Sequence, residues 1–117
     1  MLAVFNREPG AEFVEPLLPK CQIGSVNLAE IATKLNEYGY SDDEIVLTID
    51  EAGVEIIPFE QAQAIRTGTL RSATRSLGLS LGDRACLALA ELTRTIALTA
   101  DRAWLELELG IEVQSIR

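Results

Sequence analysis

Short apolar runs alternate with helical stretches along this chain, and this alternation limits the fold more than any other feature. Strands separated by helices cannot pair as simple hairpins, because each connection is a dozen or more residues long. They predict an α/β fold with a mostly parallel sheet that helices cover on both faces. The predicted strands are residues 21–26, 54–59, 95–98 and 111–116, of which the last alternates in polarity and suits a sheet edge.

Capping residues mark where the first helices begin and end. Asn27 is predicted to cap the helix that follows the first strand, and Gly39 to end that helix. Ser41 and Glu44 have the spacing of a capping box, which predicts a second helix running as far as Gly53. Two helices therefore separate the first predicted strand from the second.

Two further helices separate the second predicted strand from the third. The first covers residues 61–77, with Ile65, Leu70 and Ala73 expected to face inward. The second begins near Asp83 and is apolar almost all round, as expected of a helix buried on several sides. A short helix is also predicted after residue 101.

Length and composition point to one domain. The 117 residues, 48% of them hydrophobic, can build a core without disulfides, so residues 1–117 are expected to form a single unit. The longest apolar run, residues 85–90, is far shorter than the roughly 20 residues that cross a bilayer, and no leader opens the chain. We therefore expect a cytoplasmic protein with no membrane segment.

The residue inventory restricts the chemistry. Histidine is absent, which removes the usual catalytic triads and the commonest general base near neutral pH. Cys21 and Cys86 have no histidine to complete a zinc site, so buried, reduced thiols are expected. The net charge of −8 repels a phosphate backbone, so an enzyme acting on nucleic acid would need cations. The same charge would suit a basic protein partner.

Three carboxylates follow strands or open helices where a site is expected. In open α/β sheets, ligands bind beyond the carboxyl ends of the strands. Glu30 follows the first predicted strand, Asp101 the third, and Asp83 opens the apolar helix between the second and third. Oxygen ligands of this kind select Mg²⁺ or Mn²⁺, and Thr99 is a candidate to orient a metal-bound water.

Each of these residues also has a purely structural interpretation. Asp83 closes a capping box with Ser80, Asp101 can cap the next helix, and Glu30 can be a first-turn acid that complements a helix dipole. Thr99 can simply be a strand former. Capping does not explain why all three acids fall at the same sheet edge. Arg84 and Arg102, directly after the two aspartates, are candidates for a phosphate-binding or ordering role.

Four segments of the chain resemble a known family in order and spacing. They closely resemble the PIN domains of VapC-like toxins, and the resemblance covers essentially the whole chain. The segment around Asp83 and the later Thr-Ala-Asp are fairly specific. The matching segments are residues 6–12 (NREPGAE), 25–30 (SVNLAE), 79–90 (LSLGDRACLALA) and 98–104 (LTADRAW).

The resemblance implies a fold, an activity and partners. The fold would be a three-layer α/β/α PIN domain, and the activity an endoribonuclease that uses Mg²⁺ or Mn²⁺ held by four acids. Three of these acids match Glu30, Asp83 and Asp101. The protein would be the toxin half of a toxin–antitoxin pair, with RNA as substrate, an antitoxin as protein partner and a homodimer or higher oligomer as its assembly.

The fourth acid of the family has no counterpart here. In the family an aspartate ends the first strand in an Asp-x-Ser segment, just before the helix that residues 1–5 match, and this sequence starts after it. We expect an N-terminally truncated domain, most simply through a start site placed too far downstream. We expect either that residues 1–5 refold as a replacement strand or that a second chain covers the gap. The missing ligand predicts a weak or inactive nuclease.

Two other functions compete with the nuclease. One is a catalytically silent PIN-like module that binds antitoxin or forms oligomers. The other is a phosphoacceptor receiver domain, which also uses an acidic magnesium pocket on a doubly wound sheet. That family needs a paired-acid start and a late lysine, whereas the lysines here are Lys20 and Lys34.

Overall fold

The structure, a computed structural model, describes residues 21–99 and 102–115, and of Arg102 it describes the backbone alone. Strands and helices alternate through these residues. The predicted α/β class is confirmed. In chain order the elements are β1 (Gln22–Gly24), α1 (Ser25–Glu37), α2 (Asp42–Ala52), β2 (Glu55–Ile57), α3 (Gln61–Thr74), a 3₁₀ turn (Arg75–Leu77), α4 (Leu81–Thr93), β3 (Ala97–Thr99), a second 3₁₀ helix (Arg102–Glu106) and β4 (Val113–Ser115).

The strands form two parallel pairs. β1 pairs with β2, with Ile23 opposite Ile56, and β3 pairs with β4, with Leu98 opposite Gln114. Parallel pairing is as predicted. Within the described residues, however, the two pairs belong to separate two-stranded sheets and no strand joins them.

The start of α1 corrects the prediction for the first strand and its helix cap. The strand ends at Gly24 and the helix begins at Ser25, so Val26 is helical rather than extended and Asn27 lies inside the first turn. Gly24 is the N-cap residue and contributes no side-chain cap. Glu30 is therefore not a first-turn acid, and its own helix dipole does not explain its presence.

The other predicted helix boundaries are largely confirmed. Ser41 and Glu44 form the capping box of α2, and Gly53 ends that helix with a φ of 70°. In the left-handed region that this angle defines, only glycine is free of strain from a Cβ atom. Beyond α4, the short helix predicted after residue 101 is a 3₁₀ helix.

The buried face of α3 differs from the prediction. Leu70 is fully buried as expected, but Ile65 is 58% exposed and Ala73 is also exposed. The inward positions next to Leu70 carry polar side chains whose hydrogen bonds are satisfied. The Thr67 hydroxyl donates to the carbonyl oxygen of Gln63 at 2.7 Å, and Gln63 Nε2 donates to the carbonyl oxygen of Ala85 at 3.0 Å. Apolar periodicity cannot identify a buried face of this kind.

Helix α4 lies at the centre of the core. It packs against α3, α1, β1 and β3, and its side chains Leu87 and Ala88 are fully buried. The prediction of a helix buried on several sides is therefore confirmed. Across residues 21–99 and 102–115, the structure has no helix with the length and apolar character needed to span a bilayer.

Replacing Leu87 by alanine tests the packing of α4. Leu87 is fully buried, so Leu87→Ala should lower the free energy of unfolding by about 2–5 kcal/mol. Leu92 on the same helix is 51% exposed, and Leu92→Ala should change it by no more than about 0.5 kcal/mol. Urea denaturation of both variants measures the difference, and equal losses would contradict the assigned buried face.

Candidate functional site

Asp83 lies in a capping box at the start of α4, as its spacing from Ser80 predicts. The Asp83 backbone N–H donates to Ser80 Oγ at 3.1 Å, and the Ser80 backbone N–H donates to Asp83 Oδ2 at 3.0 Å. The cap fixes the carboxylate at the positive end of the helix and engages one of its two oxygens. The structural interpretation of Asp83 is thus correct, and it leaves Oδ1 available to a ligand.

Glu30 extends from α1 to the same place. Its carboxylate lies so close to Gly82 that a Cβ atom on that residue would overlap both carboxylate oxygens. Gly82 is buried and directly precedes Asp83. The fold therefore brings two of the three predicted acids, from different helices, to the first turn of α4, and glycine at position 82 leaves the room for Glu30.

Asn27 ties the two helices together at this point. Its Nδ2 donates to Glu30 Oε1 at 3.0 Å and to the carbonyl oxygen of Gly82 at 3.0 Å. Sequence reasoning assigned Asn27 to a helix cap and missed this role. The three-residue spacing from Glu30 was a usable signal, since side chains three apart on a helix are neighbours. The bond to Gly82, by contrast, exists only in the tertiary structure.

Basic side chains do not neutralise these acids within the described part of the chain. The ion pair found there joins Arg66 to Glu91 on α3 and α4. Arg84, a candidate for phosphate binding or ordering, donates from Nη1 to the carbonyl oxygen of Thr67 at 2.9 Å and so braces α4 against α3. This contact orders the two helices, and a role of Arg84 in phosphate binding stays a prediction. The side chain of Arg102 lies outside the described residues.

The pKa of Cys86 depends in part on the negative charge of this site. The pKa of the Cys86 thiol is raised to about 11, mainly by burial and to a smaller extent by the negative charges of Asp83 and Glu30. Burial also raises the pKa of Cys21, and both cysteines are free. Neither thiol forms a disulfide, as expected, but both residues are partly buried rather than buried.

The remaining predicted site residues are described only in part. Thr99 ends β3 and is buried, whereas Asp101 lies outside the described residues. Among the residues that are described, no group of three acids or thiols is placed to hold a metal ion. The geometry therefore brings together Glu30 and Asp83, and the position of Asp101 relative to them stays a prediction.

The two carboxylates have the donor chemistry that a hard divalent cation requires. Both present oxygen only, and each is held by a hydrogen bond that engages one oxygen and leaves the other. Mg²⁺ is commonly held by one or two protein carboxylates, with waters and substrate phosphates completing its coordination. Glu30 and Asp83 fit this description of a Mg²⁺ site. The fold and the site together are those of an α/β protein with an acidic site at the start of a helix.

Comparison with known proteins identifies the family. A model of the PIN domain matches residues 1–108, and the chain belongs to the PIN-domain family. PIN domains generally depend on a divalent metal ion. No curated protein matches the chain at a significant level.

Solved structures share the fold. A toxin–antitoxin complex from Klebsiella pneumoniae matches with a TM-score of 0.70 and 23% identity, covering 99% of this chain and 91% of that one. DNA-bound VapBC from Salmonella typhimurium matches with a TM-score of 0.68 and 17% identity, with the same coverage. VapBC2 from Rickettsia felis, bound to a promoter DNA fragment, matches with a TM-score of 0.68 and 20% identity, covering 97% and 89%. The predicted PIN-like α/β fold is thus confirmed.

The pKa of Cys86 gives a test of the site's charge. Since it lies near 11 rather than the ordinary 9.0, the neutral thiol stabilises the fold below about pH 9, and this stability is lost as the pH rises towards 11. Asp83→Asn removes a neighbouring negative charge, so the pKa should fall and Cys86 should alkylate faster at pH 8. The pH dependence of chloroacetamide alkylation in a Cys21→Ser background measures this.

Asp42→Asn is the matched control for that experiment. Asp42 also lies in the first turn of a helix, but in α2, and does not contribute to the Cys86 pKa. It should leave the alkylation rate unchanged. Equal rates in the parent and Asp83→Asn proteins would show that Asp83 does not face Cys86.

Proposed function

We propose that this chain is a metal-dependent endoribonuclease and the toxin component of a toxin–antitoxin pair. The convergence of the Glu30 carboxylate and Asp83 at the first turn of α4 carries the proposal. Membership of the PIN family supports it, and so does the likeness in fold to VapBC complexes. Glu30, Asp83 and Asp101 would hold Mg²⁺ or Mn²⁺.

Each residue has a distinct part in this proposal. A divalent ion, when bound, polarises a phosphoryl oxygen and lowers the pKa of a bound water. Asp83 is fixed by its cap, and Asn27 orients Glu30 by donating to Oε1. Thr99, at the end of β3, would order water through its hydroxyl. These two hydrogen bonds hold the carboxylates in place before substrate arrives, which reduces the reorganisation needed for reaction.

Electrostatics also favours a basic protein partner. The chain carries a net charge of −8, and Glu30 is exposed at the site. RNA would approach against this charge unless cations are bound, whereas a basic segment of an antitoxin would be attracted to it. We therefore propose an antitoxin whose basic segment covers the acidic edge. A cytoplasmic location and a homodimer or higher oligomer remain part of the same proposal.

A catalytically silent PIN-like module is the second candidate. It requires that Glu30 and Asp83, which come together among the described residues, do not hold a metal ion. Such a module would bind antitoxin or oligomerise without binding Mn²⁺ at millimolar concentration. Metal titration of the parent protein therefore separates the two candidates before any RNA is added.

The main test is cleavage of RNA by Asp83→Asn in the presence of Mn²⁺. The asparagine Oδ1 can still accept from the Ser80 N–H, so the helix cap and the fold should be retained. Loss of the ligand charge should reduce cleavage by at least about 10 to 100-fold. Gel analysis of a labelled RNA pool measures cleavage, and Glu30→Gln should act in the same direction.

Asp42→Asn serves as the control here as well, because Asp42 is an acid in the first turn of another helix, α2. It should cleave like the parent protein. Full activity in Asp83→Asn would exclude the proposed metal role. Absence of Mn²⁺ binding at millimolar concentration, together with no cleavage of RNA by the parent protein, would favour the silent module.

Asn27→Ala tests the positioning of Glu30. The variant loses the donor to Glu30 Oε1, so Mn²⁺ should bind about 10 to 100-fold more weakly. Isothermal titration measures this directly and does not require activity. Asn36→Ala, at the exposed end of the same helix, should bind Mn²⁺ like the parent. Unchanged affinity in Asn27→Ala would remove Asn27 from the site.

A further inference from the structure

The backbone of Gly82, the second residue of α4, does not explain why this residue is glycine. Gly82 is not among the described glycines with a positive φ, so its conformation is a helical one that alanine also adopts. Within a helix, glycine is less favourable than alanine because it loses more conformational freedom on folding. The reason for glycine at this position therefore lies in what surrounds it.

One side chain, that of Glu30, occupies the space that a side chain at position 82 would fill. The three atoms nearest to a Cβ atom built on Gly82 are the two carboxylate oxygens and the carboxyl carbon of Glu30, and all three would overlap it. Gly68, in the middle of α3, is also helical, but a Cβ atom there would meet nothing within 4 Å. Contact with Glu30 thus distinguishes Gly82 from the other helical glycine.

We propose that Gly82 determines the size of the metal ion that the site accepts. This inference rests on the proposed function, because it concerns the site formed by Glu30 and Asp83. Without a side chain at position 82, the Glu30 carboxylate lies against the backbone of the residue that directly precedes Asp83. The backbone of α4 therefore sets the spacing of the two carboxylates, which favours a small ion, Mg²⁺ or Mn²⁺, over Ca²⁺.

Hydrogen bonds maintain this spacing. Asn27 Nδ2 donates to Glu30 Oε1 and to the carbonyl oxygen of Gly82, so one amide holds both the carboxylate and the backbone on which it lies. The capping box with Ser80 fixes Asp83. Both carboxylates are thus anchored to the same turn of α4, and neither can move away from the other without weakening a hydrogen bond.

The size of the ion gives this rigidity a chemical consequence. Mg²⁺ binds oxygen ligands at about 2.0–2.1 Å and requires near-ideal octahedral geometry, whereas Ca²⁺ binds at about 2.3–2.6 Å and tolerates variable geometry. Selectivity between the two depends on the size of the site and the flexibility of its ligands. A rigid, closely spaced pair of carboxylates therefore suits the smaller ion, and a wider, looser pair suits Ca²⁺.

Gly82→Ala should widen the site without unfolding the protein. The atoms that the new Cβ atom meets are at the end of a flexible, exposed side chain, so Glu30 moves outwards and the helix stays in place. The midpoint of urea denaturation should stay the same or rise, since alanine favours the helix. The substitution thus changes the position of one ligand and leaves the fold intact.

The experiment measures Mn²⁺ affinity by isothermal titration, and Ca²⁺ affinity by competition with Mn²⁺, in the full chain without RNA. Gly82→Ala should weaken Mn²⁺ binding by about 10 to 100-fold, as is typical when a residue that orients a metal ligand is changed. Ca²⁺ binding should weaken less, so the ratio of the two affinities should fall by a factor of about five or more. A purely structural role would lower both affinities equally and leave the ratio unchanged.

Two comparisons identify the cause of the change. Gly68→Ala is the matched control, because it adds a Cβ atom to a helical glycine with open space around it, and it should leave both affinities unchanged. In a Glu30→Gln background the ligand charge is already lost, so adding Gly82→Ala should change Mn²⁺ binding by less than about two-fold. This second comparison shows whether Gly82 acts through Glu30.

Glu30→Asp is a second variant that leaves α4 untouched, and it keeps the inference testable if Gly82→Ala does not fold. Its carboxylate is one methylene shorter and withdraws from Gly82, so the ratio of Mn²⁺ to Ca²⁺ affinity should again fall. An unchanged ratio in either variant, or an undiminished effect of Gly82→Ala in the Glu30→Gln background, would overturn the role of Gly82 and leave the proposed function standing. Absence of Mn²⁺ binding in the parent protein would overturn both.

Discussion

The burial of α4 is the constraint on which the rest of the structure depends. Its apolar sides pack against both strand pairs and against α1 and α3, so the two halves of the fold meet on this helix. Its first turn receives the Glu30 carboxylate at Gly82 and holds Asp83 in a cap. One element therefore carries both the core and the candidate site, and a change in its position would disturb both.

The structural and functional interpretations of the acids are compatible. The capping box that explains Asp83 as a helix start also fixes its carboxylate and leaves one oxygen for a ligand. Asn27 acts similarly on Glu30, engaging Oε1 and connecting α1 to α4. The same hydrogen bonds thus contribute to stability and to the geometry of the site. For Glu30 the simple dipole interpretation fails, because the residue lies beyond the first turn of its helix.

The two strand pairs and the acidic turn lie at different ends of α4. A cleft between the strand pairs lies beside its later turns, with Leu89 and Ala90, whereas the carboxylates lie at its start. Cys86 lies between them, lining the cleft while sensing the charges of Asp83 and Glu30.

The sequence by itself determined the alternation of strands and helices, the caps at Ser41 and Ser80, and the family to which the chain belongs. These features depend on neighbours in the chain, so local patterns are enough. Only the tertiary structure decided that Gln63 rather than Ile65 is buried, and that Asn27 binds Gly82 rather than capping its helix. Those outcomes depend on which polar groups meet across helices distant in sequence, and hydrophobic periodicity carries no information about such partners.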